Sequence, residues 1–339
     1  MKNNFNDLAL VLRNKVPSRP VLFEFFLNEP LYRRLSSINN PQQSYTFGEC
    51  SPMMISAFTN AGYDYATVLG SDFKFLNQEK QIEHSISLNA YNSIRDRDSF
   101  RKFSWADPES FDYSRLEIAS SFLPSGMKLV VCGPGGVLEN VISLIGYDRL
   151  CYMLTDEPDL VRAVFDEVGE RLVTYYQICL KYSTVGAIIS NDDWGFKTQT
   201  LLPPDILRKY VFPWHRKIVE TAHAHGRPAI LHSCGQLVEV MDDIIEDMEY
   251  DAKHSYEDAI IPVEQAYALW GKRIAILGGV DLDFICRSTP LQITQRCKAM
   301  LALSEKEGGY ALGTGNSVPE YVPYENYQAM ISTINQKSV

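Results

Sequence analysis

The chain has 339 residues, of which 45% are hydrophobic and 22% charged, and its formal net charge is −10. This composition is typical of a globular protein with a large core, and the negative charge argues against nucleic acid or an anionic membrane as the main partner. No apolar stretch approaches the roughly 20 residues that span a bilayer. The seven cysteines show no spacing typical of a disulfide framework, which indicates a reduced, cytoplasmic protein.

The first 16 residues predict an amphipathic helix that ends before Pro17. Eight apolar or β-branched runs follow, and each ends in small or polar residues. They are RPVLFEFF (19–26), YATVLGSDF (65–73), KLVVCGPGG (128–136), GAIISNDDWG (186–195), RPAILHSCG (227–235), DAKHSYED (251–258), RIAILGGVD (273–281) and YALGTGNS (310–317). Helical spacing lies between many of them, as in 155–183, where Thr155 and Asp156 can cap a helix.

Eight strands alternating with helices predict an α/β fold of the TIM type, a (β/α)8 barrel. We expect one domain over residues 1–339, with the barrel proper at about 19–335 behind an N-terminal helical extension. A doubly wound open sheet is the competing fold, but no G-x-G-x-x-G follows the first strand. An excursion around residues 80–120 separates the second and third strands, and its segment 84–98 could form a hairpin.

In such a barrel the chemistry lies on the loops that follow the carboxyl ends of the strands. The predicted strand ends are polar, whereas the strand interiors hold mostly Val, Ile, Leu and Ala. The polar residues at these ends are Glu24, Ser71, Asp72, Asn191, Asp192, Asp193, His232, Cys234, His254, Glu257, Asp281 and Asn316. Their clustering predicts a functional site at this face.

His232 and Cys234 stand two positions apart at the end of the fifth run, so their side chains share one face of the strand. Imidazole and thiolate are preferred ligands of zinc, and a catalytic zinc needs about three protein ligands. His254 and Glu257 on the next run are the nearest further donors, but His254 could equally be a hydrogen-bonding residue that does not bind the metal. A buried cysteine beside a hydrogen-bonded histidine is the structural alternative.

Two other residues have open roles. Asp193 could orient a metal ligand, bind a substrate or carry a proton, but it could equally be a turn or capping carboxylate. His215 is expected to be a surface or packing residue.

The segment 186–235 resembles the central part of the uroporphyrinogen decarboxylase superfamily, and the resemblance extends through LGGVD and GTGNSVPEYVPYENYQAM. It covers about residues 120–335 and implies a (β/α)8 barrel. True decarboxylases have an arginine-rich R-Q-A-G-R segment, which the first run lacks, and a histidine in the last glycine turn, where Thr314 stands here. Ser71 and Asp72 match the S-D pair that holds the pyrrole nitrogens, which implies such a role for Asp72.

The sequence also resembles the other branch of the superfamily, the zinc- and corrinoid-dependent methyltransferases. Their zinc is held by an H-x-C pair and a later cysteine. His232 and Cys234 match the pair, and Asn316 stands where the later cysteine would be. The resemblance therefore implies two zinc ligands here, with His254 or Glu257 as the local source of a third. A relative without zinc is the alternative.

The resemblance implies methyl transfer between a small methylated substrate (a methoxylated aromatic, a methylamine or a thiol) and a cobalt corrinoid. The sequence contains no D-x-H-x-x-G corrinoid motif, so the corrinoid is expected on a separate partner protein. The alternatives are a metal-free decarboxylase and a non-catalytic barrel that binds a tetrapyrrole or a corrinoid protein. A homodimer is left open.

On this hypothesis Asp193 and Glu24 would orient ligands or transfer protons. Phe25, Trp194, Phe196 and Asn316 would form the substrate-binding surface at the barrel mouth, with rim packing as the alternative role of the three aromatic residues.

Overall fold

The computed structural model describes residues 3–38, 50–75, 88–89 and 93–335. In these residues a parallel sheet of seven strands runs in chain order, each strand pairing with the next. The strands are β1 (Tyr65–Leu69), β2 (Lys128–Cys132), β3 (Val185–Asn191), β4 (Ala229–His232), β5 (Ala252–His254), β6 (Ala275–Leu277) and β7 (Tyr310–Ala311). Each lies at or within one residue of a run that the sequence predicts.

The strands consist largely of apolar residues because both faces of the sheet are covered. In β3, six of the seven residues are buried, and β4, β5 and β6 are buried throughout. Parallel sheets covered on both sides read as continuous Val, Ile, Leu and Ala runs instead of alternating patterns.

The first predicted run forms one bridge instead of a strand. Leu22 pairs in parallel with Leu312, and the Phe23 amide donates to the Leu312 carbonyl at 2.8 Å. On the side of β1, the Tyr65 hydroxyl accepts from the Glu24 amide (2.7 Å) and donates to the Glu24 carbonyl (2.6 Å). A side chain thus takes the place of the ladder between this segment and β1. The strand order and this contact agree with a TIM-type α/β fold.

The helices of the described residues follow or connect the strands. They are α1 (Phe5–Leu12), α2 (Glu29–Leu35), α3 (Pro52–Ala61), α4 (Arg97–Lys102), α5 (Arg115–Ile118), α6 (Val137–Ile145), α7 (Tyr147–Asp156), α8 (Pro158–Cys179), α9 (Pro204–Tyr210), α10 (Phe212–Ala224), α11 (Val263–Trp270), α12 (Leu282–Arg287), α13 (Pro290–Ser304) and α14 (Tyr324–Ser332).

The predicted N-terminal helix is confirmed as α1, which buries Leu8, Val11 and Leu12 on one face. The predicted cap at 155–156 is wrong, because Thr155 and Asp156 end α7 and α8 begins at Pro158. Residues 84–87 and 90–92 of the suggested hairpin lie outside the described residues. From residue 93 to 121 the chain forms α4, α5 and two short 3-10 helices.

Candidate metal centre at the strand ends

The carboxyl ends of three neighbouring strands bring the central polar residues together. His232 ends β4 and lies in register with Asn191, which ends β3, and with His254, which ends β5. Asp193 and Cys234 each stand two residues beyond such an end, so they share the direction of the strand residue before them. The sheet register therefore places the loop after β3, with Asp193, beside the loop after β4, with Cys234.

Asp193, His232 and Cys234 each offer a donor atom, and these atoms lie within 4.8 Å of one another. The Cys234 Sγ is 3.8 Å from the His232 Nε2. The Cys234 amide donates to one carboxylate oxygen of Asp193 at 2.8 Å, which fixes that carboxylate beside the sulfur. An imidazole nitrogen, a thiol and a carboxylate are thus collected at one point, and all three types bind zinc.

Close backbone contact holds the two loops in this arrangement. Gly235 has a φ of +93°, and a Cβ atom there would lie 2.2 Å from the backbone of Gly195. Only a residue without a side chain allows the chain to turn here and to approach the loop that follows β3. The turn sets the position of Cys234 relative to Asp193.

His254 lies next to the cluster, but both of its ring nitrogens are engaged. Its Nδ1 is 2.8 Å from the His232 Nδ1, and its Nε2 is 3.1 Å from the Thr314 carbonyl oxygen. Burial lowers the pKa of His254 to about 3 and that of His232 well below its ordinary value. Both rings are therefore neutral near pH 7, which is the form in which an imidazole binds a metal.

A buried lysine, which sequence reasoning missed, supports the same loops. Lys253 in β5 donates to the carbonyls of Ser233 (3.3 Å) and Ser255 (2.7 Å), and burial lowers its pKa to about 8. Its ammonium group also lies over the Tyr256 ring, 4.3 Å from the centroid. The signal in the sequence was a lysine directly before a candidate ligand in a short predicted strand.

The Cys234 thiol has two further polar neighbours, the Ser255 hydroxyl at 3.7 Å and the Asn316 side chain. The Asn316 amide nitrogen donates to Cys234 Sγ at 3.3 Å. Burial, followed by the charge of Asp193, raises the pKa of this thiol well above its usual range. Without a bound cation the sulfur is therefore a neutral thiol near pH 7.

The residue beside Asp193 belongs to a separate buried network. The Asp192 carboxylate accepts from the amides of Leu138 and Glu139 at the start of α6, both at 2.9 Å. It also bonds the His215 Nε2 at 2.9 Å, and the Nδ1 of this ring is 2.7 Å from the Tyr250 hydroxyl. His215 is a packing residue as expected, though fully buried and bonded on both nitrogens.

The other predicted acidic residues lie apart from the donor cluster. Glu24 is fully buried and accepts from the Thr314 amide at 2.8 Å, so it joins the first segment to the turn after β7. Asp72 has an 82% exposed side chain and pairs with Arg115 at 2.7 Å. Glu257 is half-buried and lines, with Asn316, an open cavity of ≈ 750 Å³. None of the three belongs to the donor set of the described residues.

The three aromatic residues predicted to form the substrate-binding surface lie in different environments. Phe25 stacks on the His232 ring with 4.3 Å between centroids, and Phe196 is 42% exposed. The prediction that Trp194 lies on this surface is wrong. Its side chain is fully buried and packs on Phe212 and edge-on against His215. The turn after β3 directs this ring into the helix layer.

Comparison with known proteins gives the chain its family. Residues 93–337 match the family described as Uroporphyrinogen decarboxylase (URO-D). The chain belongs to the URO-D family. The membership predicted from segment 186–235 is confirmed.

Two URO-D relatives show how far the sequence has diverged within the family. A uroporphyrinogen decarboxylase from Anaeromyxobacter dehalogenans is 24% identical over 195 residues, 56% of this chain and 52% of the relative. One from Alkalilimnicola ehrlichii is 26% identical over 198 residues, 57% of this chain and 51% of the relative. The chain spans about half the length of these relatives.

Solved structures share the fold over nearly the whole chain. A methyltransferase from Methanosarcina mazei has a TM-score of 0.70 at 13% identity and covers 99% of both chains. A putative vitamin B12-independent methionine synthase from Listeria monocytogenes has a TM-score of 0.52 at 10% identity, over 94% of this chain and 98% of its own. Among the described residues of the URO-D chain, no helix is both long and apolar enough to cross a membrane.

Proposed function

We propose that this URO-D protein is a methyltransferase that works with a separate corrinoid protein and holds zinc with Asp193, His232 and Cys234. The convergence of three unlike donor atoms within 4.8 Å at the strand ends is the observation that supports the metal centre most. The URO-D membership and the fold shared with a methyltransferase support the reaction class.

The donor set fits zinc better than a hard cation. Magnesium and calcium prefer oxygen ligands, whereas a thiol and an imidazole select softer metals such as zinc. Three protein ligands would leave a fourth tetrahedral position open, as in catalytic zinc sites. Zinc would supply Lewis acidity toward the heteroatom of the substrate, or toward a thiol acceptor.

Four residues of the chain have defined roles in the proposed zinc centre. The neutral His232 presents Nε2, and the Cys234 thiol must release its proton on metal binding, so binding tightens as the pH rises. The Cys234 amide holds one Asp193 oxygen and leaves the second oxygen for the metal. Asn316 stands where the methyltransferases have their later cysteine ligand. Instead of binding the metal, its amide nitrogen donates a hydrogen bond to the Cys234 sulfur at 3.3 Å.

The substrate would be a small methylated molecule bound beside the cluster. Phe25, stacked on His232, closes the apolar side, and the open cavity lined by Glu257, Asn316 and Tyr321 provides access. A methoxylated aromatic, a methylamine and a thiol are the candidate substrates or acceptors. The corrinoid protein would approach this same open face.

A methyl-transfer assay tests the proposal. The purified zinc-loaded protein is mixed with a cobalt(I) corrinoid protein and each candidate donor, and methylcobalt is followed by its absorption spectrum. We expect methylation with one donor class, and loss of at least about 100-fold in Cys234→Ala, since a zinc ligand is removed. Matched substitution of the half-buried Cys286 by Ala should leave the rate unchanged.

Two other outcomes would overturn the proposal. Release of CO2 from a porphyrinogen by the metal-free protein would establish the decarboxylase alternative. Tight binding of the corrinoid protein without turnover of any donor, at full zinc occupancy, would establish a non-catalytic binding role.

A further inference from the structure

The two histidines at the ends of β4 and β5 form a directed hydrogen-bond chain. The Thr314 carbonyl can only accept, so the His254 Nε2, 3.1 Å away, must hold a proton. Because the neutral ring has one N–H, the His254 Nδ1 is then an acceptor. The His232 Nδ1, at 2.8 Å, must donate to it.

This direction decides which nitrogen of His232 is free. With the proton on Nδ1, the lone pair is on Nε2, the nitrogen that faces the Cys234 Sγ at 3.8 Å. The reverse tautomer would place two lone pairs against each other between the histidines. The pair is therefore compatible with one tautomer, and that tautomer can bind a metal in the cluster.

We propose that His254 is a positioning residue that fixes the tautomer and ring orientation of His232 for metal binding and is not itself a ligand. The inference rests on the proposed zinc centre for its consequence, but the tautomer is a property of the protein alone. Of the two roles that the sequence leaves open for His254, it selects hydrogen bonding over metal binding.

The surroundings hold both rings in place. His232 stacks on Phe25, and the Phe23 ring meets His254 edge-on at 5.2 Å. A Cβ atom on Gly278 would come within 2.9 Å of the His254 Nε2 and 2.2 Å of the Thr314 oxygen. The slot for the His254–Thr314 bond thus requires glycine at position 278, and a ring fixed in this way cannot turn toward the cluster.

The first test is the tautomer in the metal-free protein. Long-range 1H–15N correlation spectra of 15N-histidine protein distinguish protonated from unprotonated ring nitrogens. We expect the proton on Nδ1 of His232 and on Nε2 of His254, in each case with assignment from the matching histidine variant. A proton on Nε2 of His232 would overturn the inference whether or not the protein binds zinc.

The second test is zinc affinity, measured by competition with a chromophoric chelator. His254→Phe keeps the ring volume but removes the acceptor, and we expect an affinity loss of about 10- to 100-fold. His254→Asn places an amide oxygen near the lost Nδ1 and should recover most of the loss. The matched control is His225→Phe on the exposed end of α10, which should bind zinc as the wild type does.

The pair of variants separates positioning from ligation. If His254 were a ligand, the asparagine variant would lose zinc as strongly as His232→Ala, which would overturn the inference. Unchanged affinity in a folded His254→Phe protein would also do so. If the wild-type protein binds no zinc, the proposed function fails, and the tautomer spectrum still decides whether His254 orders His232.

Discussion

Glu24 should make the protein less stable as the pH rises, because its carboxyl group is fully buried. Burial raises the pKa of Glu24 from 4.5 to about 8, against the opposing effect of two hydrogen bonds from Thr314. The folded-state pKa lies above the unfolded value, so the unfolded chain ionises first. The stabilisation by the neutral carboxyl is complete below about pH 4.5 and is lost as the pH rises through 8.

The size of this effect follows from the two pKa values. Between pH 5 and pH 8, the free energy of unfolding should fall by about 3.5 kcal/mol through Glu24, at about 1.36 kcal/mol for each pKa unit. Glu24→Gln removes the titration but keeps the contacts. Its amide oxygen can accept from the Thr314 amide, and its NH2 can donate to the Thr314 hydroxyl.

Urea unfolding of the wild type and Glu24→Gln at pH 5, 6.5 and 8 measures the difference. The two proteins should agree within about 1 kcal/mol at pH 5, and the variant should gain about 3.5 kcal/mol relative to the wild type by pH 8. Taking the difference cancels the other titrating groups. The exposed Glu325, changed to Gln, is the matched control, and its stability difference from the wild type should be the same at pH 5 and pH 8. A stability difference that does not change between pH 5 and pH 8 would show that the pKa of Glu24 is not raised by burial.

Three further variants probe the frame of the site. His215→Phe leaves the buried Asp192 carboxylate without its ring partner and should lower the free energy of unfolding in urea by roughly 3 kcal/mol; no change would show that the two helix amides suffice. Gly235→Ala should lower it by more than about 1 kcal/mol, because the residue has a positive φ and no room beside Gly195; a wild-type denaturation midpoint would contradict this. Asp72→Ala should change stability by less than about 1 kcal/mol, since its ion pair is exposed, and should keep methyl transfer. Lost methyl transfer in that variant would place Asp72 in the site.

The seven strands could be predicted because a covered parallel sheet requires apolar runs, and these runs are visible without any tertiary information. The first run, residues 19–26, has the same apolar character as the others and was therefore also predicted to be a strand. It forms only the Leu22 bridge because the Tyr65 hydroxyl occupies the Glu24 backbone groups. That contact joins residues 41 positions apart, so no local pattern reports it.

The site was predictable where two-residue periodicity decides the direction of a side chain. This rule brought His232 and Cys234 to one face, and the register of β3 and β4 added Asp193. It could not assign His254, whose role depends on a carbonyl 60 residues further along the chain. Lys253 was missed because a lysine is usually exposed, and here two carbonyls and an aromatic ring make burial tolerable.

Zinc content is the most direct test of the proposed metal centre. The 339-residue protein, expressed with zinc and passed through a desalting column, is measured by elemental analysis beside Asp193→Asn, His232→Ala and Cys234→Ala. We expect about one zinc per chain in the wild type and loss in all three variants, whereas the His225→Ala control should retain it. A wild type without zinc, or variants that keep it while folded, would contradict the metal centre and the methyl-transfer function built on it.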